Sequence, residues 1–124
     1  MDAIRETLRR FGDSLGLAAL DFNAQNVSAL DIESLGTLSF ERIADQVFLC
    51  LAREFPMHDL DLAERALGAV GLDKGHPFSV RPALHGENAL LLTIRLNEKE
   101  FTLPNLERCI ALLAEIMNTV EDSA

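Results

Sequence analysis

The sequence predicts an α+β fold, an antiparallel and twisted five-stranded sheet with three helices in the order α-β-β-β-α-β-β-α, within one domain spanning residues 1–124. Three observations lead there. The apolar period is near 3.6 at both ends and in the middle of the chain, and near 2 in the two stretches between. The strand-like runs are joined by short polar connections, among them ESLG and HGEN, which suit antiparallel hairpins. Finally ALLLTIRL, Ala89 to Leu96, is followed after the polar NEKE by FTLPNLERCIALLAEIM, an equally apolar stretch with helical spacing.

Asp2 to Leu17 reads as an amphipathic helix. Ile4, Leu8, Phe11 and Leu15 share one stripe, Asp2 is placed to cap the N-terminus, and Gly16 to stop the helix. From Val27 the period is two, and VSALDI, TLSFERI and QVFLCLAREF are predicted strands, the last two separated by a polar turn around Ala44, Asp45 and Gln46. In the third, Val47, Leu49 and Leu51 point one way and Phe48, Cys50 and Ala52 the other, so both faces are expected to be covered at least in part. After Pro56, DLDLAERALGAVG returns to helix, with Leu60, Ala63, Leu67 and Val70 on one side and Gly71 at its end. Its alanine and glycine content permits close approach by a neighbour.

Phe78 to Leu84 is predicted as a fourth strand, which Pro82 confines to an edge or a bulge. In the fifth, Leu90, Leu92, Ile94 and Leu96 form a wholly aliphatic face, opposite Ala89, Leu91, Thr93 and Arg95. The last helix is expected from about Leu103 to Val120, Pro104 being tolerated in its first turn. Leu106, Ile110, Leu113, Met117 and Val120 form its seam, widened by Cys109, Leu112 and Ile116, and the aliphatic face of the fifth strand is expected beneath it. The tail EDSA is expected to fray.

The chain has 124 residues, 48% hydrophobic and 25% charged, which places it among globular domains and leaves oligomerisation open as a source of further burial. Its net charge of -9, from 20 acidic and 11 basic residues, opposes nucleic acid and anionic membrane surfaces, because phosphates are bound by Lys and Arg. No signal peptide pattern and no run approaching a membrane span are visible, so a cytoplasmic protein without membrane insertion is expected. Cys50 and Cys109 lack a C-x-x-C context and read as small buried hydrophobes.

Chemistry-bearing motifs are missing. His58, His76 and His85 fall in predicted loops without ligand spacing, no metal or cofactor is expected, and no G-x-S-x-G, G-x-x-x-x-G-K or G-x-G-x-x-G is present. Asp59 with Asp61, and Glu98 with Glu100, have the spacing of solvated turn charge rather than of an acid and base pair. The reading is therefore of a binding protein, not an enzyme. Phe40, Phe48, Phe55 and Phe78 are either core or part of an apolar patch for a partner.

The opening helix ending in FGDSLGL before a strand meander, the small helix before a two-strand hairpin, and the ending ALLLTIRLNEKEFTLPNLERCIALLAEIM together resemble the class I chaperones of type III secretion, the Tir chaperone (CesT)-like family. The resemblance covers nearly the whole chain. It implies a homodimer in the bacterial cytoplasm that binds the N-terminal chaperone-binding segment of one or a few secreted effector proteins in extended form, without ATP, keeping them soluble and competent for secretion. It adds the secretion ATPase or sorting platform as a further partner. Matched onto this sequence, it implies a dimer interface of Leu60, Ala63, Leu67, Val70, Phe78, Val80 and Leu84, and cargo grooves that include Leu8, Phe11, Leu30, Ile32, Leu38, Phe40 and Phe48.

The same element order occurs in YbjN-like regulatory or sequestering proteins not tied to secretion, which is the alternative reading. Under the chaperone reading, replacing Leu92 is expected to cost stability, and replacing Phe40 or Leu8 to cost cargo binding.

Overall fold

The computed structural model describes residues 2–56, 59–71, 76–86 and 88–122. His58 and the tail residues Ser123 and Ala124, on which expectations were placed, lie outside the described residues, as does the Asp59 side chain. The elements are α1 (Ala3–Ser14), β1 (Val27–Ile32), β2 (Gly36–Ile43), β3 (Gln46–Glu54), α2 (Asp59–Ala69), β4 (Arg81–His85), β5 (Ala89–Asn97) and α3 (Leu103–Asp122), in the expected order.

All pairings are antiparallel and the sheet order is β1-β2-β3-β5-β4. The chain leaves β3, crosses through α2, enters at the far edge as β4 and returns as β5 beside β3. The most apolar strand thereby takes an interior position. The proline-bearing strand takes an edge, where a missing ladder donor is tolerated.

The period of two separates the faces cleanly. Val47, Leu49 and Leu51 of β3 lie opposite Leu96, Ile94 and Leu92 of β5, and all six are essentially inaccessible. Leu38 and Phe40 of β2 and Leu90 of β5 extend this face. The helices cover it: Ile4, Leu8 and Phe11 from α1, Leu62, Ala66 and Ala69 from α2, and Leu106, Cys109, Leu113, Ile116, Met117 and Val120 from α3. Phe40 is central to this layer, with edge-on contacts to Phe11 at 5.7 Å and Phe101 at 6.2 Å between ring centroids.

Local sequence sets the ends of the elements. The Asp2 carboxylate accepts the Arg5 N–H at 2.9 Å, the N-cap expected of it. At the other end of α1, Gly16 has φ +77°, donating its N–H to Asp13 O at 3.0 Å while Leu17 donates to Gly12 O at 2.8 Å. This is a Schellman ending, so Leu15 falls off the buried stripe and is 47% exposed. Gly36 opens β2 with φ +131°, and a Cβ there would stand 2.2 Å from Ala52 O. Only glycine lets that close approach of backbones form.

Three further expectations are corrected, and α2 shows which of its apolar sides faces the sheet. Phe78 and Val80 precede β4 rather than belonging to it, because pairing with β5 begins only at Arg81 opposite Thr93; both pack half-buried against the core. On α2, Leu60 and Leu67 are 68% and 63% exposed, and the inward stripe is Leu62, Ala66 and Ala69. The helix is apolar on two sides and only one of them faces the sheet. Cys50 is half-buried on the sheet face away from the helices, whereas Cys109 is buried as expected. His85 ends β4 rather than lying in a loop.

This packing sets the cost of cavities. Leu92→Ala is expected to lower unfolding free energy by about 2–5 kcal/mol and Phe40→Ala by about 3–5 kcal/mol. Urea unfolding measures both; a loss under about 1 kcal/mol in either would contradict the core assignment.

Candidate binding surfaces

Among the described residues no group of three or more His, Cys, Asp or Glu could hold a metal ion, and no helix is long and apolar enough to cross a membrane. His76 uses a ring nitrogen 3.1 Å from Ala69 O, a structural contact after α2. Burial pushes the Cys109 thiol up to about 11, with Glu100 adding to the shift, so it stays neutral and unreactive near neutral pH. The informative surfaces are those that the fold leaves apolar or unpaired.

The first is the outer side of α2 with β4. Ala63, Leu67, Pro82, Ala83 and Leu84 line a cavity of about 210 Å³ that reaches Leu90. Leu60, Leu67 and Leu84 are 40–68% exposed on this side, and they are half of the exposed large hydrophobic residues of the described chain. Arg65, half-buried on the same helix, has its Nη1 atom buried without a hydrogen-bond partner. Of the expected dimer residues, Leu60, Ala63 and Leu67 face outward on α2 and Leu84 lies beside them on β4. Val70, Phe78 and Val80 instead line a neighbouring hollow with His76 and pack in part on the core.

The second is the outer edge of β1. Asn23 leads the chain into it, its Oδ1 accepting the N–H groups of Gln25 and Val27, and its own N–H donating to Val27 O at 2.8 Å. Beyond Val27, no backbone group among the described residues pairs with that edge. Leu30 and Ile32 are half-buried along it, at the margin of the core. Leu8, Phe11, Leu38 and Phe40 lie closed beneath, at 0–4% exposure. The expected cargo set is therefore brought to one end of the sheet, apart from Phe48, but four of its members are shut in the protomer's own core.

The third is the face of the sheet opposite the helices. Register places Ala29, Ser39, Cys50, Thr93 and Arg81 in one row across it, with Glu41, Phe48 and Arg95 in the next. Phe48, Cys50, Ala52, Leu91 and Thr93 are half-buried there, while the described helices pack on the opposite face. The expectation that both faces would be covered thus holds for one.

Ion pairs fasten α1 to the sheet and the following loop to α1. Arg42 Nη1 on β2 reaches both Asp2 oxygens at 3.0 Å, and the Arg5 guanidinium holds Asp21 through both ends. The Arg5 backbone N–H, and then Arg42, hold the Asp2 carboxyl below its usual range; the Arg5 side chain and then the Phe22 N–H do so for Asp21. Carboxyls depressed in the folded state add stability above their unfolded pKa and lose it as pH falls through the folded one. Asp2→Ala is therefore expected to cost about 1 kcal/mol at neutral pH. The difference from the parent should shrink below about pH 4. Unfolding curves at several pH values test this, and a pH-independent difference would contradict it.

With this geometry in view, similarity to known proteins is informative. Residues 3–121 match the family described as Type III secretory system chaperone SycN. The chaperone protein SycN of Yersinia enterocolitica is 30% identical over 92 residues, 73% of this chain and 75% of its own length. The fold is that of the HopA1-SchA chaperone-effector complex, at TM-score 0.70 and 17% identity over 96% of this chain and 94% of that one. It is also that of the Yersinia pestis type III secretion chaperone SycH, solved with a fragment of YscM2, at TM-score 0.66 and 18% identity over 98% and 99%. YbjN of E. coli, described as a putative transcription regulator, shares the fold at TM-score 0.55 and 17% identity over 91% and 90%. Fold likeness alone thus does not separate the two readings, and the family match does. The chain belongs to the SycN family of type III secretory system chaperones.

Proposed function

We propose that this chaperone works as a homodimer joined through α2 and β4, and that the dimer carries the N-terminal segment of one or a few secreted effectors in extended form. The observation that carries the dimer is the outer side of α2. A protomer that closes a full core still leaves Leu67 and Leu84 exposed at one cavity, and Leu60 exposed two turns before Leu67 on the same helix. A second copy set against Leu60, Ala63, Leu67 and Leu84 would cover them, with Val70, Phe78 and Val80 at the margin, and the unpartnered Arg65 Nη1 lies on the same helix. Stable interfaces bury on the order of 1,200–2,000 Å², so α2 and β4 are expected to take part together.

The cargo segment is assigned to the β1 edge and the uncovered sheet face. Strand addition along β1 would satisfy its free backbone groups, with Leu30 and Ile32 giving the apolar contact and Phe48 a further one on the open face. Leu8, Phe11, Leu38 and Phe40 support these contacts from beneath as the packed floor. Replacing Leu8 or Phe40 would therefore read out first as lost stability rather than as lost binding alone.

Binding of this kind uses no nucleotide and no cofactor; it holds the segment soluble in the bacterial cytoplasm until it is passed to the secretion ATPase or sorting platform. The net charge of -9 keeps apolar docking surfaces from self-association beyond the dimer.

Sedimentation at micromolar concentration should give twice the chain mass of 13.7 kDa. Leu60→Glu with Leu67→Glu should give a folded monomer, since both side chains lie outside the protomer core. Co-expression with effectors of the same bacterium should yield complexes of two chaperones per cargo by native mass spectrometry. A monomeric parent chain, or unchanged dimerisation of the double variant, would contradict the interface.

A further inference from the structure

The geometry points to a carboxylate-recognition site on the uncovered face of the sheet, formed by Arg81 and Arg95 with Ser79 and Thr93 beside Phe48, which takes an acidic side chain of the extended cargo segment. The inference rests on the chaperone reading above and adds a chemical requirement on the cargo.

These five residues line one concavity of about 130 Å³. Register explains why they meet. Arg81 is directly opposite Thr93, and Arg95 lies two residues further along β5 on the same face, next to Phe48 of β3. The two guanidinium stems are therefore diagonal neighbours, roughly 7–8 Å apart at the backbone, close enough for both heads to reach one anion.

Neither arginine side chain has an ion pair or hydrogen bond among the described residues, although those of Arg5, Arg9, Arg10, Arg42 and Arg53 all hold carboxylates. Shortage of acid is not the reason, since the chain has 20 acidic residues against 11 basic ones. The acid in the same row, Glu41, is separated from Arg95 by Phe48 and by two strand spacings, roughly 9–10 Å. Two like charges side by side without a counter-charge repel, and an anion between them removes that penalty. The site is thus left unneutralised within an otherwise acidic molecule.

The surroundings select the kind of anion. Phe48, Cys50, Ala52 and Leu91 continue from the concavity as an apolar strip, which suits a peptide with apolar residues on either side of the acidic one. A polyanion such as nucleic acid is opposed by the net charge of -9. The flat arginine fork and the adjacent hydroxyls favour a carboxylate held by two or more donors.

The test uses the intact protein and three probes: a short blocked peptide of alternating serine and leucine with one central glutamate, the same peptide with glutamine, and sodium phosphate alone. Nitrogen-15 NMR of the arginine Nε–H signals and fluorescence anisotropy of the same peptides carrying a terminal dye report binding, since the protein has no Trp or Tyr. The glutamate peptide should bind roughly tenfold tighter than the glutamine peptide and shift the Arg81 and Arg95 signals. Arg81→Gln with Arg95→Gln should abolish that preference, while the exposed Arg108→Gln on α3 should keep it. Equal affinity for the two peptides, no binding of either, or a preference that survives the double variant or is lost equally in the Arg108 variant, would each overturn the site. Phosphate that saturates the same arginine signals without competition from the glutamate peptide would overturn the cargo assignment in favour of a free anion. Cargo capture in the co-expression experiment can persist through all of these failures, so the chaperone reading and this inference fail separately.

Discussion

The pairing of β3 with β5 is the constraint on which the rest of the molecule depends. Each strand is aliphatic on one face, and register sets Val47, Leu49 and Leu51 against Leu96, Ile94 and Leu92 in the middle of the sheet. At about 25 cal/mol per Å² of apolar surface removed from water, this six-residue block and the α3 seam above it supply a large share of the burial. To bring β5 beside β3, the chain must first pass through α2 and β4, so β4 is forced to an edge and α2 to the side of the sheet. The exposed side of α2 and the proline-bearing edge follow from how the core is closed.

A sheet covered on one face only has consequences for function. One layer of three helices suffices for a core, and what remains apolar beyond it is available to other chains: the outer side of α2, the margin of β1, and the strip through Phe48 and Leu91. Edge strands and exposed aliphatic residues are hazards in a soluble protein. The high negative charge offsets that hazard, and the two uncompensated arginines on the open face stand out against it. Under the proposed function, these surfaces have to stay open so that an extended segment is held without being enclosed.

Much of the fold was legible in the sequence because the relevant signals are local. The alternation of Leu90, Leu92, Ile94 and Leu96, the Asp2 cap, the Gly16 stop and Pro82 as an edge marker each reflect the physics of a few neighbouring residues. Where reading failed, the deciding term was non-local. On α2, with Val70 just after it, Leu60, Ala63, Leu67 and Val70 have helical spacing, but so do Leu62, Ala66 and Ala69, and periodicity alone does not say which apolar stripe faces the sheet. Phe78 and Val80 have strand character, yet β5 offers them no paired partner. Core and groove were equally hard to separate: Phe40 and Phe48 both sit in apolar alternating strands, and only the position of the helices buries the first and leaves the second half-open. The proximity of Arg81 and Arg95 depends on the β4–β5 register, and no local pattern announces it.

The central claim is that this protomer closes its core on one sheet face and leaves α2 with β4 for a second copy and the β1 edge for cargo. Amide hydrogen exchange, followed against protein concentration and then with an effector segment bound, tests it most directly. The expected result is that protection of α2 and β4 rises with chaperone concentration, while amides along the outer edge of β1 exchange quickly until cargo is added. Concentration-independent protection of α2, together with a β1 edge that gains nothing from cargo, would contradict the account.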